Sequence, residues 1–320
     1  MHFVFLRNQN CSVFPKVYLE IRGQCFMNNL AVSTVAQGLL WAVMALGVYV
    51  TFRVLDLADL TCEGSFPLGA ATAATLMASG HSVGTAIVAA AVAGMIAGAV
   101  TGFLTTKMKI PALLAGILTM IALYSVNLRI MGKANLSLLG VDTVFSFTQE
   151  ALGLNNAYTT FVVGLAATLI VVIAMYWFFG TEIGAAIRAT GFNQQMIRAQ
   201  GVNTHMTIIL GLIISNALIS VSGALVGQNN GFADVGMGVG TIVIGLASVI
   251  IGEVLFGTRS FKNCLVSVVL GSVVYRIVIA VVLQMGMPPN DLKLFTSVLV
   301  AIALSMPLIK EKLKGRKAAR

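Results

Sequence analysis

The chain has 320 residues, 58% of them hydrophobic and 10% charged, where a soluble domain carries roughly 25% charged residues. That balance excludes a soluble globule, a disordered chain, a collagen and a disulfide scaffold. The 20 basic and 11 acidic residues give a net charge of +9, too dispersed for a nucleic-acid-binding face, so no nucleic-acid partner is expected and the charges are read against a lipid bilayer.

Residues 1–29 read as an N-terminal extension. Arg7, Lys16 and Arg22 fall in it without the continuous apolar core and cleavage site of a signal peptide, and Met27 is a more natural membrane-protein start. A transmembrane domain follows over 30–310. A bilayer core needs roughly 20 mostly apolar helical residues, and such segments run at about 30–52, 82–106, 111–131, 158–179, 204–227, 241–257, 263–287 and 292–309. A shorter ninth, at 66–80, is rich in Ala and Thr. The expected fold class is an all-α polytopic membrane protein of about 8–10 transmembrane helices. Residues 311–320 form a basic tail.

If the spans alternate, Lys107, Lys109, Arg188, Arg198, Arg259, Lys262 and the six basic residues from Lys310 to Arg320 share one side. Lys and Arg mark the cytoplasmic face, which predicts a multi-pass protein with a cytoplasmic C-terminus. The connections 132–157, 228–240 and 286–291 then lie outside.

The longest polar interruption, 180–203, carries Ile183, Ile187, Met196 and Ala199 at three- and four-residue spacings. It predicts one or two short amphipathic helices, with Glu182 near a helix N-terminus. Phe192 and Met196 leave apolar surface for a partner to cover. On either side of this loop lies a faint repeat. Leu57-Ala58-Asp59-Leu60 with Gly64 resembles Phe232-Ala233-Asp234-Val235 with Gly238 and Gly240, on opposite sides of the membrane. Interrupted helices at equivalent places in two inverted halves point to a translocation site.

Intramembrane polar residues are costly unless paired or facing water. Asp56, Asp59 and Glu63 surround the first break, where exposure favours a place on a solute pathway, and Asp234 marks the second. Tyr124 and Asn127 share a helix face; Tyr275 and Arg276 lie midway along a later span. For Arg276 and Glu253 a buried packing pair stands beside a substrate role. The four cysteines and three histidines lack metal-ligand spacing, so no cofactor is expected.

The order of break, Gly/Ala-rich span, basic turn, amphipathic loop and second break resembles the permease subunits of bacterial ABC importers, in the branch that includes branched-chain amino acid and ribose permeases. Ala58-Asp59-Leu60-Thr61-Cys62-Glu63-Gly64-Ser65 is similar to that family's polar stretch after its first long span. Gly184-Ala185-Ala186-Ile187-Arg188-Ala189-Thr190-Gly191, with Asn193 and then Gly201-Val202-Asn203, is similar to its cytoplasmic coupling loop. Pro289-Asn290-Asp291-Leu292-Lys293 looks like a subgroup that handles aromatic or other amino acids. The chain departs from the general loop in two ways: Gly184 stands where a Glu opens the triplet, and Gly191 comes one residue late. The resemblance implies an ATPase subunit docked on Glu182, Ala185, Ala186, Arg188, Gly191, Asn193 and Gly201. It further implies an extracytoplasmic solute-binding lipoprotein, a permease dimer and a location in the bacterial cytoplasmic membrane. The pathway would be lined from Asp59, Glu63, Tyr124, Asn127, Asp234, Tyr275 and Arg276. The chain has no G-x-x-x-x-G-K-[ST] phosphate loop, so ATP hydrolysis belongs to the partner and the chain itself is not expected to be an enzyme. An ion-coupled secondary transporter would use the same repeat and acids but gives the 180–203 loop no task. A membrane enzyme would need a His or Ser/His constellation that the sequence lacks. Composition does not separate a channel subunit from these.

Overall fold

The computed structural model describes residues 14–286, 291, 294–298, 300, 301 and 305, with side chains from Asn29 onward. Helix α1 (Phe14–Tyr49) ends in a wide π-helical turn, Val50–Val54. There follow α2 (Cys62–Ala78), α3 (Val83–Thr106), α4 (Ala112–Met131), α5 (Val144–Leu152), α6 (Asn156–Gly180), α7 (Glu182–Phe192), α8 (Gln194–Ala199), α9 (Thr204–Asn230), α10 (Thr241–Phe256) and α11 (Phe261–Gln284). Among the described residues, seven stretches are long and apolar enough to cross a bilayer: Asn29–Val54, α3, α4, α6, α9, Val235–Phe256 and α11. Of the expected span at 292–309, only 294–298, 300, 301 and 305 are described, and all are helical. The basic tail lies outside the described residues.

The short Ala/Thr segment differs from its neighbours for a packing reason. α2 has 17 residues, about 26 Å at the α-helical rise, which is less than a hydrocarbon core. It faces other helices rather than lipid, and twelve of its residues are buried. A Cβ at Gly69 would overlap the Ser220 carbonyl, and one at Gly223 would overlap the Phe66 carbonyl. Gly94, Gly98 and Gly102 of α3 repeat this every fourth residue against Asn216, Leu212 and Ile209 of α9. Small residues at that spacing let backbones approach where no hydrophobic drive separates helix from lipid. The Gly and Ala content is therefore mostly helix-contact surface.

The two breaks sit in an inverted arrangement. The chain leaves α1 beside Gly191 and Gly211, which pack on Val54 and Leu55, at the end that also holds Arg188, Arg198 and Lys262. It turns at exposed Asp56 (φ +54°) and climbs back to start α2 near the middle of the bundle. Phe66 there stacks on Trp41, halfway along the α1 span, with ring centroids 5.1 Å apart. At the opposite end, α9 gives way to β2 (Phe232–Asp234), paired antiparallel with β1 (Asn135–Ser137). A 3-10 turn, Val235–Gly238, then descends to the middle, where α10 begins. The aspartates matched in sequence make the same turn: Asp59 Oδ1 accepts from the Thr61 N–H at 2.9 Å, and Asp234 Oδ1 from the Gly236 N–H at 2.6 Å. Such side-chain-to-backbone bonds fix a bend where a helix stops.

Candidate functional site: the junction of the two breaks

The breaks meet. Pro67, one turn into α2, has no N–H to give the Glu63 carbonyl. That carbonyl is met by Gly238, where a Cβ would overlap it and would also lie 2.7 Å from Pro67 Cδ. The Glu63 side chain completes the contact, Oε1 accepting from the Gly240 N–H at 3.0 Å. The start of α2 is therefore tied to the start of α10 through one carboxylate and one glycine contact.

Beside this tie lies a cavity of about 300 Å³ walled by Glu63, Pro67, Met120, Tyr124, Asn127 and Val239 among others. Tyr124 is half-exposed at its rim, while Asn127 is wholly buried and donates through Nδ2 to the Gly64 carbonyl at 3.3 Å. Asn127 Oδ1 has no hydrogen-bond partner, and a buried acceptor left so costs about 1–3 kcal/mol. Chemically the cavity offers a carboxylate and a spare amide oxygen against apolar walls, an arrangement suited to a small solute carrying hydrogen-bond donors.

Asp59 corrects the sequence reading. The break does not expose it: its side chain is 2% accessible. Besides its bond to Thr61, Oδ2 accepts from Asn216 Nδ2 at 2.9 Å, and Asn216 Oδ1 accepts in turn from Ser65 Oγ at 2.7 Å. Thr61, Thr101 and Thr119 continue the polar thread at 2.8 and 3.0 Å. Asp59→Ala would leave the Thr61 N–H without an acceptor and Asn216 Nδ2 with only the Leu212 carbonyl at 3.0 Å, a loss of about 1–3 kcal/mol. Asp59→Ala should therefore melt well below the wild type in a detergent thermal-shift assay, with Asp59→Asn between the two. Equal melting of all three would mean that Asp59 does not hold the first break in shape.

The other expected site residues fall elsewhere. Asp234 is at the bend beside β1–β2, where Oδ2 also accepts from Asn135 Nδ2 at 3.3 Å. Tyr275 is fully buried in a cluster with Ala247 and Val300, and Arg276 stacks its guanidinium 4.2 Å from the Trp41 ring centroid. Neither lines the Glu63 cavity. Arg276 does not pair with Glu253, which is bound by Arg53 through Nη2 and through Nε at 2.9 and 3.1 Å. Arg53 ends the first span, close to where α10 ends, so proximity decided the pairing. Asn216 went unnoticed in the sequence. An amide inside the apolar run of α9 was its signal, because such a group needs a partner across helices.

At the opposite pole from β1–β2, the 180–203 segment forms the two expected helices. Thr181 caps α7 on the Gly184 N–H, and Asn193 caps α8 on the Met196 N–H at 3.0 Å. Glu182 lies in the first turn of α7, and Gly201 (φ +85°) reverses the chain into α9. Ile187 is buried in the core and Thr190 Oγ1 meets Thr207 Oγ1 at 2.9 Å, fixing α7 to α9. Ala185, Ile183, Met196 and above all Phe192, 96% accessible, face outward. Arg188 turns inward, over the Phe261 ring at 5.1 Å. Gly191 touches the first break: a Cβ there would overlap the Val54 carbonyl and lie 3.0 Å from Leu55 Cα.

The same architecture occurs in PsaBC from Streptococcus pneumoniae, solved in complex with a Fab. That likeness has a TM-score of 0.50 at 15% identity over 88% of this chain and 91% of the other; it concerns the fold alone. In sequence the chain is 39% identical to the tyrosine transport system permease protein of Clostridioides difficile, over 90% of its own length and 94% of the relative's. It is 35% identical to an uncharacterized protein of Rickettsia prowazekii, over 87% and 97%. The family model described as the branched-chain amino acid transport system / permease component matches residues 30–304. The span pattern, the paired breaks and this match together place the chain in the family of branched-chain amino acid transport system permease components.

Proposed function

We propose that the chain is the membrane-spanning permease subunit of an ATP-binding cassette importer in a bacterial cytoplasmic membrane, with its Arg188 end in the cytoplasm. A separate ATPase docks on α7–α8, and an extracytoplasmic binding lipoprotein delivers solute at the β1–β2 end. Two permease chains form the path, lined near its centre by Glu63, Tyr124 and Asn127. Asp59 holds the first break in shape, Asp234 shapes the outer bend, and Tyr275 and Arg276 pack behind. The solute is an amino acid or a related small molecule, which the tyrosine system of the Clostridioides difficile relative supports.

The observation that carries this reading is the outward apolar face of α7–α8 resting directly on the first break through Gly191. An ATPase that seats on Phe192 and Met196 and moves α7 would push Val54–Leu55, only four residues before Asp59. Replacing both Phe192 and Met196 with Ser should lower co-purified ATPase and solute uptake by more than about tenfold, as loss of buried anchor residues does at interfaces. Membrane insertion should be unchanged, because both side chains are exposed. Full uptake with undiminished ATPase recovery would move the docking surface off α7–α8, and full uptake by a wild type that retains no ATPase would favour an ion-coupled transporter.

A further inference from the structure

We infer that the groove between α6, the start of α7 and the start of α11 is a binding site for the phosphate headgroup of an anionic phospholipid. The groove encloses about 720 Å³ and is lined by Tyr176, Trp177, Arg188, Ser260, Phe261 and Lys262, with three further residues of the α6–α7 elbow. It brings together three features that favour an anion. Two are cations, the Arg188 guanidinium and the Lys262 ammonium. The third is the N-terminus of the 24-residue α11, whose cap residue Ser260 makes no side-chain capping bond. Uncapped N–H groups and the helix dipole draw negative charge to such an end.

The cations are positioned but not neutralised. Lys262 lies 4.6 Å from the Tyr176 ring centroid and Arg188 lies 5.1 Å from that of Phe261. The ion pair among the described residues is Arg53–Glu253, and Glu182, next to the groove residue Thr181, pairs with neither cation. Arg188 Nε is buried with no hydrogen-bond partner. A phosphate would accept from both cations at once, the charge-assisted geometry in which guanidinium and phosphate bind best.

A lipid fits this groove better than a soluble partner. Trp177 is 73% accessible on α6, and Ile173 and Ile170, one and two turns below it, are 64% and 68% accessible. This outward apolar strip leads straight from the groove along a membrane span. Acyl chains would lie on it while the headgroup sits at the Trp/Tyr level, where the membrane–water boundary falls. Basic residues near an anionic leaflet each contribute about 1 kcal/mol.

The test is native mass spectrometry of the purified full chain in detergent, with phosphatidylglycerol or phosphatidylcholine of matched acyl chains. The wild type should retain phosphatidylglycerol in preference. Lys262→Gln, at an exposed position that tolerates the change, should lower its retention about fivefold. Lys262→Arg should keep it, and so should Lys107→Gln, which removes a basic residue of the same end outside the groove. Equal retention of the two lipids, or equal loss in Lys107→Gln, would overturn the site. Displacement of the lipid by excess inorganic phosphate would assign the groove to free phosphate instead. Lost ATPase co-purification in Lys262→Gln with unchanged lipid retention would make it a protein contact and overturn the lipid assignment.

Discussion

Gly191→Val should bring solute uptake in reconstituted vesicles close to background, while the chain still inserts and still binds its ATPase. Gly191 is in ordinary helical backbone near the end of α7, so conformation does not demand glycine there. The approach of Val54 does, because any Cβ would overlap the carbonyl oxygen that ends the π-helical turn of the first span. Relief requires α7 to back away from Val54 and Leu55, but α7 is held in place by Ile187, which shares their buried cluster, and by Thr190 on Thr207. Overpacking of this kind costs about 1–3 kcal/mol. On the proposed coupling through α7, the strain falls on its contact with the first break and disfavours the coupled state roughly five- to 150-fold. ATPase association, read by co-purification, should persist, since Phe192 and Met196 still face outward. Gly191→Ala should be milder in uptake but in the same direction. Normal transport by Gly191→Val would mean that α7 does not drive the first break.

Much of this architecture is legible in the residues alone. Long apolar runs must be spans because no soluble core accommodates so many, and seven of the eight lie where hydropathy places them. The spacing of Ile183, Ile187, Met196 and Ala199 reveals α7 and α8 locally. Even the four-residue repeat carried geometry, for Asp59 and Asp234 close equivalent turns at opposite ends. Illegible were pairings between residues far apart in the chain. Asp59 reads as an exposed carboxylate until Asn216 arrives from 157 residues away. Glu253 reads as a partner for Arg276 until Arg53 reaches it across 200 residues. The β1–β2 pair is equally hidden, since three-residue strands leave no periodicity to read. Side-chain type shows that a buried polar group needs a partner; only packing shows which one.

Glu63 allows two roles to be separated in one experiment. Its carboxylate accepts the Gly240 N–H and also lines the cavity at the junction. Glu63→Ala removes the acceptor and the charge together. A hydrogen bond to a charged group contributes about 1.5–3 kcal/mol, so this variant should melt measurably lower and lose at least tenfold in uptake, about 1.4 kcal/mol or more. Glu63→Gln keeps an oxygen for Gly240 and loses only the charge. It should recover most of the thermal stability, because the tie between α2 and α10 survives. Uptake should stay low, and the defect should appear as a raised half-saturation concentration rather than a lowered maximum rate, since a wall of the path has lost its attraction for the solute's donors. Gly238→Ala supplies the complementary case. It leaves the charge in place but pushes the first turn of α2, at the Glu63 carbonyl and Pro67, away from residue 238, so it should lower the maximum rate and leave half-saturation near normal. Wild-type kinetics in Glu63→Gln would confine Glu63 to holding the two breaks together and move the solute path away from this cavity.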